Sequence, residues 1–254
     1  MIRLSVVSYL NTAPFLYGLE KSGILKPGLF KLSLDIPSVC AEKLINGKAD
    51  IGLVPTAILP LLPSYSIIGN TCIGAIGKVD SVMLFSQVPL EEIEIILLDY
   101  QSRTSIKLSQ ILAKNYWKIY PKYEEADKEY ISKISGNTAG IVIGDRAFEV
   151  KNLFKYQHDL SEAWYNYQHL PFVFACWASI LPMNDEIVFK LEEALQFGIN
   201  HLPETINNTV TKYPSYYPIE NYLTQRISYN LDEQKLKGLE TFLTLLGKFD
   251  KELK

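Results

Sequence analysis

Between Asp99 and Ser105 the chain reads DYQSRTS, setting the hydroxyls of Ser102, Thr104 and Ser105 and the Arg103 guanidinium where an apolar run, Ile93 to Leu98, gives way to a helical pattern. The first turn of a helix presents unsatisfied N–H groups and the positive end of its dipole, so an anion is favoured there. Ser102, Arg103, Thr104 and Ser105 are therefore candidates to bind a carboxylate; the plainer alternative is an ordinary helix cap with a solvent-facing arginine. Gly144 and Asp145 hold the same position after another apolar run, Thr138 to Ile143. In open α/β sheets the ligand crevice lies at the carboxyl ends of the strands, so the two segments would line one wall. Asn11, following the first strand, and Ser81, at the head of a later one, are candidates for the opposite wall. A turn role for Asn11 and a strand-edge hydroxyl for Ser81 are the bland readings.

Other chemistries lose support. His158, His169 and His201 are scattered, with no H-E-x-x-H, and Cys40, Cys72 and Cys176 form no C-x-x-C, so neither zinc nor a disulfide framework is indicated and the thiols read as buried and inert. G-x-S-x-G, G-x-x-x-x-G-K-[ST] and G-x-G-x-x-G are all missing, which speaks against acyl hydrolysis, nucleotide phosphate binding and dinucleotide chemistry. No metal and no cofactor are expected.

The elements that must position these residues alternate between strand and helix. Arg3 to Ser8 reads as a strand, then a loop and a helix over Phe15 to Glu20; Leu29 to Ile36 reads as a strand, Ser38 as the N-cap of a helix Val39 to Asn46 closed by Gly47, and Asp50 to Val54 as the next strand. This β-α-β pattern predicts a parallel sheet. Ser66 to Ile76, with its glycines, suggests further edge strands or a connection, and Ser81 to Ser86 another strand. Ile93 to Leu98 and Thr138 to Ile143 have the continuous apolar character of buried parallel strands, with an amphipathic helix Ser105 to Trp117 between them. Leu170 to Ile180 is the most apolar segment, and helical spacing follows over Asp185 to Phe197 and Glu233 to Phe249. Two α/β blocks emerge. The first is short of helix, so the sequence predicts a discontinuous lobe, residues 1–86 with 178–254, and an inserted lobe, residues 87–177, joined by crossing strands near Ser86 and Trp177.

With 254 residues, 48% hydrophobic and 21% charged, the chain is long enough for two cores and too apolar to be disordered. Its net charge of −3 offers no basic field for nucleic acid. No apolar run approaches the ~18 residues of a membrane span. The N-terminus, MIRLSVVSYLNTAPF, lacks the charged and apolar regions of a signal peptide, so a cytoplasmic chain starting at Met1 is expected. Oligomeric state is not legible.

Taken in order, VVSYLNTAPF, KLINGKADIGLVP, DSVMLFS, LDYQSRTS, IVIGDRAF and DLSEAWYNYQHLPFVFACW resemble the chorismate dehydratase family of the futalosine route to menaquinone, over nearly the whole chain. The resemblance implies an α/β, two-lobed fold similar to periplasmic solute-binding proteins of the second type, with the ligand cleft between lobes. It implies a hydro-lyase whose substrate, chorismate, loses water to give 3-[(1-carboxyvinyl)oxy]benzoate. It also implies that Asn11, in the Y-L-N motif, and Ser81, heading the S-V-x-L-F-S strand, are functionally important. Chorismate carries much of the driving force itself: loss of the ring hydrogen beside the ether and of the neighbouring hydroxyl makes the ring aromatic. No convincing His or carboxylate base stands in these motifs, so the enolpyruvyl carboxylate of the substrate is the candidate base. Two other readings compete. A non-catalytic solute-binding protein for small carboxylates shares the fold but predicts an export signal. The sister family that makes 1,4-dihydroxy-6-naphthoate opens with S-P-C-P-N-D, where this chain has Ser8-Tyr9-Leu10-Asn11-Thr12.

Overall fold

The computed structural model describes residues 1–25 and 28–252. The chain divides into two units, Met1–Gly74 with Val173–Asp232 and Ala75–Phe172 with Glu233–Lys254. Elements are numbered along the chain.

In the first unit the alternation of strand and helix produces β1 (Ile2–Val7), α1 (Ala13–Lys21), β2 (Phe30–Asp35), α2 (Pro37–Ile45), β3 (Ile51–Pro55) and β4 (Ser66–Ala75). The chain returns as β10 (Phe172–Ser179), α6 (Asp185–Asn200), α7 (Leu202–Thr209), a short α8 (Ile219–Asn221) and β11 (Ser228–Asn230). The sheet order is β11-β4-β10-β3-β1-β2. β1 runs parallel to both β2 and β3, as the β-α-β pattern requires, while β10 runs antiparallel to β3. β10 is buried on both faces, which explains its unbroken apolar sequence. Ser66 to Ala75 is one ten-residue strand. α2 is entered by Pro37 in its first turn with Ile36 at the N-cap, so Ser38 lies inside the helix and does not cap it; Gly47, at φ +62°, follows the C-cap Asn46 as expected.

The second unit contains β5 (Val82–Ser86), β6 (Ile95–Leu98), α3 (Thr104–Leu112), β7 (Lys122–Glu125), β8 (Thr138–Ile143), α4 (Arg146–Val150), β9 (Tyr156–Asp159), α5 (Leu160–Gln168) and the terminal α9 (Glu233–Glu252). Its sheet order is β7-β6-β8-β5-β9. β6 lies parallel to β7 and β8, and β5 antiparallel to β8 and β9. The helix expected to reach Trp117 stops at Leu112, and a π-helical turn, Ala113–Trp117, ends on Lys118 in the left-handed region at φ +59°.

The division corrects the predicted boundaries. Residues 75–86 and 233–252 belong with the inserted block and not with the N-terminal one, while residues 173–177 belong with the N-terminal block. α9 buries Leu239, Phe242, Leu246 and Phe249. Phe242 meets the edges of Phe172 at 5.0 Å and Trp164 at 6.2 Å, and Lys107 on α3 pairs with Asp250 at 2.7 Å. A shortage of helix in one block says that a helix must come from elsewhere; it does not say which of two helical segments supplies it.

α1 and α6 approach closely at two glycines. A Cβ on Gly198 would lie 1.7 Å from the Pro14 carbonyl oxygen, and one on Gly18 would lie 1.9 Å from that of Ala194. Backbone cannot yield as a flexible side chain can, so Gly198→Ala is expected to destabilise the protein by about 2 kcal/mol through overpacking. The measurement is the urea midpoint against Gly247→Ala, an exposed helical position with open space, which should be neutral or slightly stabilising.

Candidate functional site

Parallel β6 and β8 bring their carboxyl ends side by side, and antiparallel β5 brings its beginning to the same edge, Val82 pairing with Ile143. Ser81, the DYQSRTS segment and Gly144–Asp145 therefore gather at one end of the second unit. Ser81 is 1% exposed and its carbonyl accepts from the Gly144 N–H at 2.8 Å. This corrects one expectation: Ser81 belongs to the same unit as Thr104 and is not grouped with Asn11 in the first unit.

Asp99, fully buried, ties these strand ends together. Its Oδ2 accepts from the Ile143 N–H at 3.1 Å and from the Arg146 guanidinium at 2.5 Å, and its Oδ1 accepts from the Gln101 N–H at 3.0 Å. Arg146 also lies over the Tyr100 ring, 5.4 Å from its centre. The guanidinium that belongs to this cluster is thus Arg146, whereas Arg103 is exposed. Behind Asp99, the Tyr130 hydroxyl donates to the Ile141 carbonyl at 2.5 Å; burial and the nearby carboxylate push its pKa up, so it remains a donor.

Thr104, Ser105 and Ser102 are all buried at the start of α3. Ser102 Oγ accepts from the Ser105 N–H at 3.1 Å, so that N–H, expected to serve a ligand, is already used in capping the helix. Gly144 has φ +67°, the left-handed turn that lets β8 end at once and α4 begin with Arg146, beside half-buried Asp145.

Two residues that sequence reasoning passed over shape the site. Asp159 ends β9, and its Oδ2 accepts from the N–H groups of Val79 and Asp80 at 2.8 and 2.7 Å, while Oδ1 caps α5 through Ser161 and Glu162 at 2.9 and 3.1 Å. Burial pushes its carboxyl up and the N–H groups of Asp80, Glu162 and Val79 hold it down, with burial prevailing. Asp80 sits at φ +62°, in the left-handed region that aspartate enters more readily than most non-glycine residues, and the next residue is Ser81. The D-x-S-E run of residues 159–162 is a legible N-cap signal; its second role, on residues eighty positions earlier, is not.

In the first unit, β1 ends in a turn, Leu10–Thr12, closed by the Thr12 hydroxyl against the Val7 and Tyr9 carbonyls, both at 2.7 Å. The Asn11 Oδ1 is buried with no hydrogen-bond partner, an acceptor left open. The Asn11 carbonyl accepts from the Tyr229 hydroxyl at 3.1 Å. Tyr229 is the second residue missed: burial raises its pKa well above the ordinary phenol value, keeping it a donor, and its ring meets Phe15 on α1 edge-on at 5.4 Å.

The histidines and cysteines stay apart from these clusters. His158 lies on β9 beside the Trp117 ring, and burial lowers its pKa. All three cysteines are free and buried; burial lifts the Cys40 and Cys176 thiols to about 12. Among the described residues no group of His, Cys, Asp or Glu is arranged to hold a metal ion, and no helix is long and apolar enough to cross a membrane.

The same mixed α/β fold occurs in solved structures. A protein of Archaeoglobus fulgidus superimposes with a TM-score of 0.78 at 14% identity, over 100% of this chain and 98% of that one. A Candida albicans protein described as having the generic periplasmic binding protein fold superimposes at 0.62 and 13% identity, over 97% and 90%. The alkanesulfonate-binding protein of Xanthomonas axonopodis does so at 0.60 and 12%, over 95% and 89%. The fold is therefore that of the periplasmic binding proteins. Residues 2–248 match the menaquinone biosynthesis family, and the chain belongs to that family. It is 27% identical to the chorismate dehydratase of Thermus thermophilus, over 96% of this chain and 94% of that one.

Replacing Asp159 by Asn would leave one carbonyl oxygen where two carboxylate oxygens now serve four N–H groups. Asp159→Asn is expected to cost about 2 kcal/mol or more, since buried donors lose their acceptor. Thermal unfolding of the variant measures the loss.

Proposed function

We propose that the chain is a chorismate dehydratase, a carbon–oxygen lyase that removes water from chorismate to give 3-[(1-carboxyvinyl)oxy]benzoate on the futalosine route to menaquinone. The observation that carries this reading is the likeness to the Thermus enzyme, which runs the length of both chains and is not confined to one motif. Membership of the menaquinone biosynthesis family supports it.

The chemistry suits the side chains available. The reaction needs a dianion held, the charge developing on the ring carboxylate stabilised, and departure of hydroxide assisted. One carboxylate is assigned to the start of α3, where Thr104 and Ser105 offer hydroxyls beside the positive end of the helix dipole, with Ser102 holding the turn and Gly144 and Asp145 adjoining it. Ser81 and Asn11 are assigned directional roles: Asn11 orients the substrate hydroxyl or a carboxylate through its amide, and Ser81 hydrogen-bonds a second group. Neither has a pKa suited to a base near neutrality. Asp99 is the most buried carboxylate near these groups, and Ile143, Gln101 and Arg146 already occupy it. The proton beside the ether is accordingly taken by the enolpyruvyl carboxylate of chorismate. Its electron pair passes into the ring and onto the ring carboxylate, then returns as hydroxide leaves and the ring becomes aromatic. The departing hydroxide and that proton amount to one water.

Purified protein incubated with chorismate, with nothing added, should yield a product lighter by one water in a mass spectrum. Binding without that loss would make the protein a receptor. Asn11→Ala and Ser81→Ala should each lower kcat by about 10²- to 10³-fold with a much smaller change in KM, the pattern of groups acting mainly on the transition state. Thr104→Ala should weaken chorismate binding by about 1 kcal/mol or more, the range for a hydrogen bond to a charged group. Unchanged affinity in both Thr104→Ala and Ser105→Ala would remove the carboxylate from α3.

A further inference from the structure

β2 is the last strand of the first sheet; its free edge carries Lys31 and Asp35 but no proline and no bulge. Leu32 and Leu34 are 45% and 54% exposed on a six-residue strand. The other terminal strands are protected differently. β7 reads Lys-Tyr-Glu-Glu, β9 has four residues, and β11 has three with a slip in register. An open, regular strand edge bearing leucines is a template for another strand.

The backbone of β2 says which residues would pair. The carbonyls of Leu29 and Asp35 accept from the Ile2 and Ser8 N–H groups of β1, at 2.8 and 2.9 Å. With a period of two, the odd-numbered residues face β1, and the N–H and C=O groups of Leu32 and Leu34 point outward. An antiparallel partner centred on Ser33 would meet this edge in register. Leu32 would exchange both backbone hydrogen bonds with the partner's Leu34, and Leu34 with the partner's Leu32. Lys31 would stand directly across from the partner's Asp35, opposite charges on the same face as Lys43, which already pairs with Asp35 of its own chain at 2.6 Å. The strand is thus complementary to itself in hydrogen bonding, in apolar contact and in charge.

We infer that the protein forms a two-fold dimer in which two copies of β2 pair antiparallel about Ser33, joining two six-stranded sheets into one. A second copy is the occupant because Leu32 and Leu34, and Lys31 and Asp35, stand symmetrically about Ser33, and a two-fold axis converts that symmetry into matched pairs.

Sedimentation across the micromolar range is expected to give a monomer–dimer equilibrium for the unaltered protein. Leu34→Lys and Lys31→Asp, each confirmed folded by circular dichroism, should raise the dimer dissociation constant by about tenfold or more, because apolar area is lost or like charges face each other. Ser33→Cys should form an intermolecular disulfide under mild oxidation, since directly opposed residues in a non-hydrogen-bonded pair lie about 4.5 Å apart between Cα atoms; the native cysteines are buried and should not compete. A protein that stays monomeric throughout overturns the inference. So does a dimer that Leu34→Lys and Lys31→Asp leave intact, or one that Ser33→Cys fails to cross-link.

Discussion

Asp99 holds a carboxylate with no exposed surface, and the polar end of the second unit is arranged around the need to compensate it. Burying a charge costs several kcal/mol unless hydrogen bonds and a counter-charge replace the lost water. The replacements are the Ile143 N–H at the end of β8, the Arg146 guanidinium at the start of α4 and the Gln101 N–H in the turn before α3. Ile143 and Arg146 belong to the segment where β8 passes into α4, and Gln101 to the turn between β6 and α3, so meeting the demand of one carboxylate ties the end of β6 to the end of β8 and to the starts of α3 and α4. The hydroxyls of Thr104 and Ser105 and the turn at Gly144 follow from that anchorage. Breaking a buried pair of this kind is strongly destabilising, because removing either member strands the other.

The same economy recurs at Asp159 and in the first unit. Two oxygens of Asp159 serve four N–H groups, two that start α5 and two that hold residues 79 and 80, and the left-handed Asp80 is kept in place by that grip. In the first unit Tyr229 reaches the carbonyl of Asn11 from β11, leaving the amide of Asn11 clear of that task. In both places a donor or acceptor distant in sequence holds the backbone, so that the side chain next to it need not.

Legibility in the sequence followed from how local each signal was. β1, β2, β3, β6 and β8 were readable because two-residue alternation or an unbroken apolar run is a property of a few neighbouring residues. The turn at Gly47 was readable for the same reason. β7 and β9, reading KYEE and YQHD, carry almost no apolar residues and exist as strands because β6 and β5 offer them an edge. The destination of α9 is not legible because its buried stripe, Leu239 to Phe249, would suit either unit; the ring of Phe242 against Trp164 and Phe172 decides it. The candidate site divides likewise. Ser81, Thr104, Ser105, Gly144 and Asn11 stand at strand ends and could be named from spacing, whereas the grouping of Ser81 with Gly144 depends on the antiparallel pairing of β5 with β8, which no local pattern encodes.

Hydroxyls gathered at the start of a helix have consequences for the kind of reaction they can support. Such groups neither take up a proton near neutrality nor carry a full charge, so they cannot drive a reaction whose difficulty lies in an unactivated bond. They can stabilise charge that a substrate generates within itself, provided they are aimed before it arrives. Chorismate meets that condition: its ring carboxylate is conjugated to the carbon that loses the proton, a second carboxylate is tethered nearby, and aromaticity rewards the loss of hydroxide. Under the proposed function, the protein's task reduces to holding donors still. The buried ion pair at Asp99, the four-way grip of Asp159 and the Tyr229 contact are the means by which a fold otherwise used for binding would meet it, with the cost placed in interactions away from the reacting atoms.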